Sequence, residues 1–282
     1  TYCAIPSIRG KYRSRRMEDI VKEARWLAEN GVTELVVVAQ DTTRYGEDIY
    51  GKSMLPELLT ALCEIDGFKW IRTLYCYPER ITDELLDVIA KEDKLVKYLD
   101  MPIQHCNKNI LKRMNRHGDR ETLTALIKKI REKIPNVTLR TTLITGFPGE
   151  TEEQFEELCE FVKEIRFERL GCFAYSPEEG TPAEKFEDQV PLKDRERRAE
   201  IIMEEQMIIS DSLNEAALDS EVEVVCEGFD RYAECYYGRS QADAPEIDGK
   251  IFFLSEDKVR VGEYVKVKID DTMDYDLIGS KM

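Results

Sequence analysis

A repeated exchange between helical and strand patterns over the first 175 residues constrains this chain more than any other feature. Continuous apolar runs such as Leu35–Ala39 are typical of strands buried on both faces of a parallel sheet, and amphipathic helical spacing separates each run from the next. The predicted strands are 35–39, 70–75, 96–100, 137–144 and 169–175. Because each strand is joined to the next through helix, the pattern predicts a parallel α/β sheet or barrel.

The hydrophobic period changes after a charged helix that begins at Pro191 and is predicted to connect two domains. Beyond it, apolar residues alternate with polar ones in five short segments: 222–226, 232–237, 250–254, 264–269 and 275–278. A small antiparallel barrel is the expected arrangement, since closure removes exposed sheet edges. The predicted division is therefore 1–190, 191–217 and 218–282.

Charge is unevenly distributed along the chain. The net charge of −16 argues against a surface that binds nucleic acid throughout, because phosphate binding depends on lysine and arginine. Residues 217–282 hold 16 acidic and 8 basic side chains, whereas residues 9–16 form a basic cluster. No apolar run approaches the roughly 20 residues that a membrane span requires, so we expect a cytoplasmic protein without a membrane partner.

Polar residues follow the predicted strands at the ends where parallel α/β folds place their active sites. The most informative stretch is 139–151, in which Gly146 and Gly149 flank Phe-Pro and let the backbone approach a ligand. Thr142 and Ile144 lie on one face of the same strand and can offer an adenine a polar and an apolar contact. The lysine of a phosphate-binding loop is absent.

Two other classes of site find little support in the sequence. His105 and Cys106 are adjacent, so their side chains are expected to point apart, and the only other histidine is His117 in a charged turn. This argues against a histidine metal cluster. No nucleophile-elbow pattern is present, which argues against a hydrolase. Six cysteines are interpreted as thiols in structural positions: Cys63, Cys76, Cys159, Cys172, Cys226 and Cys235.

The segment Tyr2–Pro6, with Cys3 at its centre and a basic run after it, resembles the end of the Cys-x-x-x-Cys-x-x-Cys loop of radical S-adenosylmethionine enzymes of the methylthiotransferase group. Four later segments resemble the same group in the same order: Ala39–Thr43, Pro102–His105, Leu143–Glu150 and Tyr175–Thr181. The resemblance implies a partial parallel (β/α)6 radical-SAM barrel whose first strand is missing from this chain, followed by a TRAM β-barrel domain.

The resemblance also implies cofactors. In that family three thiolates hold a 4Fe-4S cluster and leave one iron open for S-adenosylmethionine, so Cys3 is expected to be a cluster ligand and a catalytic residue. The preceding ligand is expected immediately before Thr1. The residues implied to contact S-adenosylmethionine are Tyr2, Gln40, Asp41, Gln104, Arg140, Thr142, Ile144, Gly146 and Tyr175. Gln40 and Asp41 are expected near the methionine amino group, Arg140 near its carboxylate and most of the others around the adenosine.

Completing the reaction is expected to require partners. The family's sulfur donor is a second 4Fe-4S cluster on an N-terminal methylthiotransferase domain, which is missing from this chain, and an electron donor is also needed. This chain alone is therefore expected to be inactive.

The segment Tyr237–Gly249 resembles the TRAM domain of the branch of this family that modifies an aspartate of ribosomal protein uS12. The resemblance implies that the substrate is uS12, free or in the small ribosomal subunit, and that Arg239, Asp243, Glu246 and Asp248 contact it. An acidic tail suits a basic protein better than RNA. The alternatives are the same chemistry on tRNA and a non-enzymatic RNA-binding or assembly factor.

Overall fold

The computed structural model describes all residues from Thr1 to Met282, and it contains two sheet systems joined by one long helix. The helices are α1 (Ile5–Arg9), α2 (Met17–Glu29), α3 (Glu47–Tyr50), α4 (Leu55–Cys63), α5 (Asp83–Lys91), α6 (Lys108–Arg113), α7 (Arg120–Lys133), α8 (Glu152–Ile165) and α9 (Leu192–Glu215). The strands are β1 (Glu34–Val37), β2 (Trp70–Thr73), β3 (Tyr98–Asp100), β4 (Thr138–Thr145), β5 (Arg169–Ala174), β6 (Glu221–Asp230), β7 (Cys235–Arg239), β8 (Ile251–Leu254), β9 (Tyr264–Met273) and β10 (Asp276–Lys281). None of these helices is both long enough and apolar enough to span a membrane.

The first five strands are parallel and lie side by side in chain order. Strand β1 pairs with β2, and β3, β4 and β5 form a second group. A bridge between Ile71 and Leu95 connects the two groups, and the amide of Val96 donates to the carbonyl of Ile71 at 3.1 Å. The predicted parallel α/β alternation is therefore confirmed. A sixth barrel strand stays a prediction.

One face of the parallel sheet is covered by helices and the other is turned toward the second domain. Leu35, Ile71, Leu99, Leu139 and Leu143 point into the large core formed with the helices. The opposite face is called here the inner face. Its lower part packs against the second domain through an apolar cluster: Trp70, Leu74, Val96, Tyr98, Val225 and Ala244.

Helix α8 begins where the capping-box pattern predicts. The amide of Gln154 donates to Thr151 Oγ1 at 3.3 Å, and the amide of Thr151 donates to Gln154 Oε1 at 3.0 Å. Each end of the box satisfies an amide that the helix itself leaves without a partner. The cap fixes the direction in which the chain leaves the glycine-containing loop after β4.

The long helix α9 does more than connect domains. Its side chains Ile202 and Ile209 are buried in the core of the first domain. Its buried Arg198 donates to the carboxylate of Glu150 at 2.8 Å. The predicted boundary at residues 190 and 191 stays a prediction, but the packing joins this helix to the parallel sheet.

The second domain is a closed barrel with the strand order β10-β8-β7-β6-β9. Its interior contains Val224, Cys226, Phe253, Val265 and Val267. The predicted five strands and their closure are confirmed. The expectation that all pairings are antiparallel is wrong in one place, because β10 runs parallel to β8. The period of 2 fixes which residues face inward, but it carries no information on the direction of a partner strand.

Candidate active site

Side chains alternate between the two faces of β4 and β5, and this alternation determines which of them lie on the inner face. Arg140, Thr142 and Ile144 are partly buried, whereas Leu139, Thr141 and Leu143 between them are fully buried on the helix side. Strand β5 pairs in register with β4, so that Thr142 lies beside Gly171 and Ile144 lies beside Phe173. Residues paired in register share a face, and the inner face therefore has three levels: Arg140 with Arg169, Thr142 with Gly171, and Ile144 with Phe173.

The lowest level is occupied by charged contacts with the second domain. Arg140 donates to Asp100 Oδ1 at 2.9 Å, and its Nε lies 3.6 Å from Asp248 Oδ1. Asp248 Oδ2 accepts from the hydroxyl of Tyr98 at 2.6 Å and from the amide of Ala244 at 2.8 Å. Arg140 is thus held between two carboxylates of the protein. This placement differs from the predicted role as partner of a cofactor carboxylate.

Two further predicted substrate contacts belong to the same charged level. Arg169 donates to Asp243 Oδ1 at 2.6 Å, and Asp243 Oδ2 accepts from the amide and hydroxyl of Ser240. Arg239 donates to Glu34 Oε2 at 2.6 Å and to Glu227 Oε1 at 2.6 Å. The side chains of Arg239, Asp243 and Asp248 are occupied by contacts within the chain, and their predicted contact with a substrate stays a prediction.

Glu246 differs from these three residues. It is exposed and lies in a left-handed turn with φ 61°. Of the four predicted substrate contacts, it is the one that a partner can reach.

Above the charged level, the inner face is open and largely apolar. Phe173 in the edge strand β5 is 61% exposed, and Val38, just after the end of β1, is 60% exposed. Gly171 leaves room beside Thr142, because a β-carbon there would meet little except the ring of Phe173 at 3.8 Å. Sequence reasoning missed Phe173. Phe173 could have been found by aligning the two predicted strands, because it pairs in register with Ile144.

The N-terminal residues lie across the carboxyl ends of the strands. The hydroxyl of Thr1 donates to the carbonyl of Arg113 at 2.7 Å, and the amide of Ala183 donates to the carbonyl of Thr1 at 3.1 Å. The ring of Tyr2 packs edge-on against Phe147 with centroids 6.4 Å apart. These contacts hold the following residue, Cys3, with an exposed thiol.

A ring of aromatic and cationic groups surrounds this position. Burial raises the pKa of Tyr2, while the nearby guanidinium of Arg116 opposes that shift. The same guanidinium lies over the ring of Tyr77 at 4.1 Å from its centroid. Burial also raises the pKa of Tyr77, and a smaller contribution comes from the charge of Cys3. Tyr2, Cys3, Tyr77 and Arg116 therefore form one cluster at the rim.

Gln40 and Asp41 separate after the end of β1. Gln40 is exposed, whereas Asp41 is buried and accepts a short hydrogen bond from the hydroxyl of Thr43. Arg80 Nε lies 3.7 Å from Asp41 Oδ2. Burial raises the pKa of Asp41, and the contacts with Thr43 and Arg80 oppose the shift only in part.

Gln104 and Tyr175 present buried polar atoms without partners. Gln104 has φ 70°, its amide donates to the carbonyl of Thr142 at 2.9 Å, and its carbonyl accepts from the amide of Ile144 at 2.8 Å. Its side-chain Oε1 and the hydroxyl of Tyr175 have no hydrogen-bond partner. Buried polar atoms are rarely left unpaired. These two atoms, with the open level beside Thr142, fit the polar edges of an adenosine.

Gly146 is predicted to line the adenosine site, but the structure shows that it makes a tight turn against α9. It has φ 69°, and a β-carbon there would lie 2.4 Å from Cγ of Arg195. Arg195 is held in turn by the carbonyl of Tyr175, which accepts from its Nη1 at 3.0 Å. The glycine therefore allows the helix to approach the strand end.

A buried polar cluster under this turn was missed by sequence reasoning. Glu150 Oε2 accepts from the amide of Gly146 at 2.9 Å and lies 3.5 Å from Nε2 of His105. Nδ1 of His105 accepts from the amide of Asn107 at 2.9 Å, so the proton of a neutral imidazole lies on Nε2 and points toward Glu150. The cluster stabilises the loop after β4. The signal was present in the sequence, because Glu150 lies within the 139–151 stretch.

The residues present fit one thiolate ligand of a cluster and no complete metal site. Cys3 is exposed at the rim, and no group of three or more histidine, cysteine, aspartate or glutamate side chains is arranged to hold a metal ion. The thiols of Cys76 and Cys172 are shielded, and burial raises the pKa of each to about 12. Cys3 is thus the thiol best placed to bind an external group.

Comparison with known proteins agrees with this arrangement. The model of the Radical SAM superfamily matches residues 1–162, and the model of the TRAM domain matches residues 220–281. The chain is 51% identical over 279 residues to ribosomal protein uS12 methylthiotransferase RimO of Clostridium tetani and 52% identical to the protein of that name from Clostridioides difficile. Both matches cover 99% of this chain, which spans 62% and 63% of the length of those relatives.

Among solved structures, coproporphyrinogen III oxidase (HemN) from Escherichia coli, a radical SAM enzyme, aligns with a TM-score of 0.51 and 18% identity. The alignment covers 82% of this chain and 62% of that one, and at this identity it supports the fold alone. The superfamily match extends over more than half of the sequence, from the Cys3 segment into α8, and so includes four of the five parallel strands. The chain therefore belongs to the radical SAM superfamily and carries a TRAM domain at its C-terminal end.

Proposed function

We propose that this chain is the radical SAM and TRAM part of a methylthiotransferase that adds a methylthio group to the β-carbon of an aspartate in ribosomal protein uS12. The observation that carries the proposal is the identity of about half of all residues with two uS12 methylthiotransferases along nearly the whole chain. The chain spans 62% and 63% of the length of those relatives, and the sulfur-donating cluster would lie on an N-terminal methylthiotransferase domain.

Cys3 would provide one thiolate of a 4Fe-4S cluster. Its exposed thiol at the rim and the anchored residues Thr1 and Tyr2 support this role. A bound cluster and S-adenosylmethionine supply a radical that removes hydrogen from an unactivated carbon. An electron donor must reduce the cluster, and the exposed position of Cys3 suits access by such a partner.

The open levels of the inner face would hold S-adenosylmethionine. Thr142 and Ile144 offer one polar and one apolar contact, and Gln104 and Tyr175 contribute buried polar atoms that lack partners. Asp41 would accept from the amino group, and Gln40 would approach the same group from the exposed side. Arg140 would support the cofactor site from the charged level below it. Both carboxylates next to its guanidinium, Asp100 and Asp248, belong to the protein.

Phe173 would exclude water from the reacting carbon. Its ring is exposed on the inner face and lies in register with Ile144. A radical formed in such a site is shielded from side reactions with solvent. We expect the aspartate of the substrate to enter this level from the open rim.

The proposal is tested with the whole gene product that contains this sequence, reconstituted with iron and sulfide under anaerobic conditions. It is incubated with methyl-labelled S-adenosylmethionine, small ribosomal subunits and bulk tRNA, and the label is located by mass spectrometry. Cys3→Ala should abolish labelling, whereas the matched control Cys159→Ala, on the surface helix α8, should retain it.

Three outcomes discriminate between the functions. A methylthio group on an aspartate of uS12 supports the proposal. A methylthio label in tRNA would support the radical chemistry but would show that the proposed substrate is wrong. If neither substrate is labelled and S-adenosylmethionine is not cleaved, the chain functions without radical chemistry, as a binding or assembly factor.

A further inference from the structure

We propose that Asp248 of the TRAM domain is a positioning residue for the cofactor site and acts through Arg140 and Asp100 on the backbone at Tyr75. The inference rests on the proposed function and extends it, because it gives the TRAM domain a role inside the radical SAM domain. It arises from one connected series of contacts that crosses the domain boundary.

The first step of the series joins the two domains. Asp248 is almost fully buried, and its Oδ1 lies 3.6 Å from Nε of Arg140. The hydroxyl of Tyr98 and the amide of Ala244 donate to its other oxygen at 2.6 Å and 2.8 Å. With both oxygens engaged, the carboxylate has a single orientation. It therefore fixes one side of the Arg140 guanidinium.

The second step connects Arg140 to the end of strand β2. Arg140 Nη1 donates to Asp100 Oδ1 at 2.9 Å, and Asp100 Oδ2 accepts from the amide of Tyr75 at 2.9 Å. The amide of Cys76 donates to the carbonyl of Asp100 at 2.8 Å. Asp100 thus holds two successive amides. If Arg140 moved, Asp100 would lose the partner that orients it.

The segment held in this way has a conformation that needs support. Tyr75 has φ 59°, in the left-handed region that a residue with a β-carbon rarely adopts. Such backbone strain persists where the surrounding contacts determine it and is common at functional sites. The ring of Tyr75 is 42% exposed, so side-chain burial contributes little to holding it.

The strained segment borders the proposed cofactor site on two sides. The amide of Thr42 donates to the carbonyl of Tyr75 at 3.1 Å, and Thr42 directly follows Asp41. Tyr77, two residues further on, belongs to the cluster around Cys3. A shift of Tyr75 would therefore displace both the proposed amino-group contact and the rim beside the cluster ligand.

The test compares Asp248→Asn with Asp270→Asn, which changes an exposed carboxylate of the same domain. The first readout is amide hydrogen exchange of residues 74–77 in this chain without cofactor. The second is the dissociation constant of S-adenosylmethionine for the whole reconstituted gene product. We expect Asp248→Asn to accelerate exchange at Tyr75 and to weaken cofactor binding at least about fivefold, whereas Asp270→Asn should change neither.

The outcomes separate positioning from simple stability. If Asp248→Asn lowers resistance to denaturant but leaves exchange at Tyr75 and cofactor affinity within twofold of the unmodified protein, the inference is overturned. If the variant does not fold, Tyr98→Phe replaces it, since that change removes a donor to Asp248 and keeps the charge. The same two effects are then expected in the same direction, and their absence overturns the inference. A wild-type protein that binds no S-adenosylmethionine would instead refute the proposed function, and this inference with it.

Discussion

Replacing Gly146 by alanine tests how closely α9 approaches the end of β4. The backbone at Gly146 has φ 69°, and an added β-carbon would lie 2.4 Å from Cγ and 2.9 Å from the backbone Cα of Arg195. The left-handed backbone costs an alanine about 1–2 kcal/mol. Overpacking of a buried site adds about 1–3 kcal/mol. We therefore expect Gly146→Ala to lower the free energy of unfolding by about 2–5 kcal/mol.

A matched variant separates the two contributions. Gly31 also has a positive φ, of 86°, but nothing lies within 4 Å of its added β-carbon. Gly31→Ala should therefore cost only the backbone part, about 1–2 kcal/mol. Arg195 can relieve the clash at Gly146 only by moving its backbone, because the close contacts include its Cα.

Urea denaturation followed by tryptophan fluorescence measures both variants. The two tryptophans, Trp26 in α2 and Trp70 in β2, lie in the first domain and report on its unfolding. With a slope of about 2–3 kcal/mol per molar urea, Gly146→Ala should shift the midpoint downward by roughly 1 M. If the urea midpoint shifts equally in Gly146→Ala and Gly31→Ala, helix α9 moves away from the added β-carbon without loss of stability. The steric reasoning would then be refuted.

Three further predictions concern the interface, the pH dependence and the thiols. Asp243→Asn should lower the free energy of unfolding by about 3 kcal/mol, because it removes the hydrogen-bonded counter-charge of the largely buried Arg169; an unchanged denaturation midpoint would contradict this. Burial raises the pKa of Asp41, so the native state binds its proton more tightly and stability falls as pH rises from 3.8 through the native pKa. In Asp41→Asn, stability should therefore fall less over this pH range than in the unmodified protein. If the urea denaturation midpoint depends on pH identically in both proteins, the prediction is wrong. Iodoacetamide should modify Cys3 before any other cysteine of the native chain, as mapped by mass spectrometry, and early modification of buried Cys76 would show that β2 is accessible.

Elements with a strong period were predictable from the sequence, whereas contacts between distant segments were not. The alternation located all five parallel strands, although the strand predicted at 96–100 begins at Tyr98. Thr142 and Ile144 were placed on one strand face, as observed. The partners of Arg140 were not predictable, because Asp100 and Asp248 come from different parts of the chain and only the folded topology brings them together.

The second domain shows how a count of charges can mislead. The acidic excess in residues 217–282 suggested a surface for a basic substrate, but Asp243 and Asp248 point into the first domain and neutralise arginines there. Carboxylates buried against arginine are neutralised within the interface and contribute little to the field outside the protein. Under the proposed function, contact with a basic partner would depend on exposed acidic side chains such as Glu246, because Asp243 and Asp248 are occupied at the lower level of the inner face. Composition alone does not separate the acidic side chains that are buried against the first domain from those that are exposed and free to meet a partner.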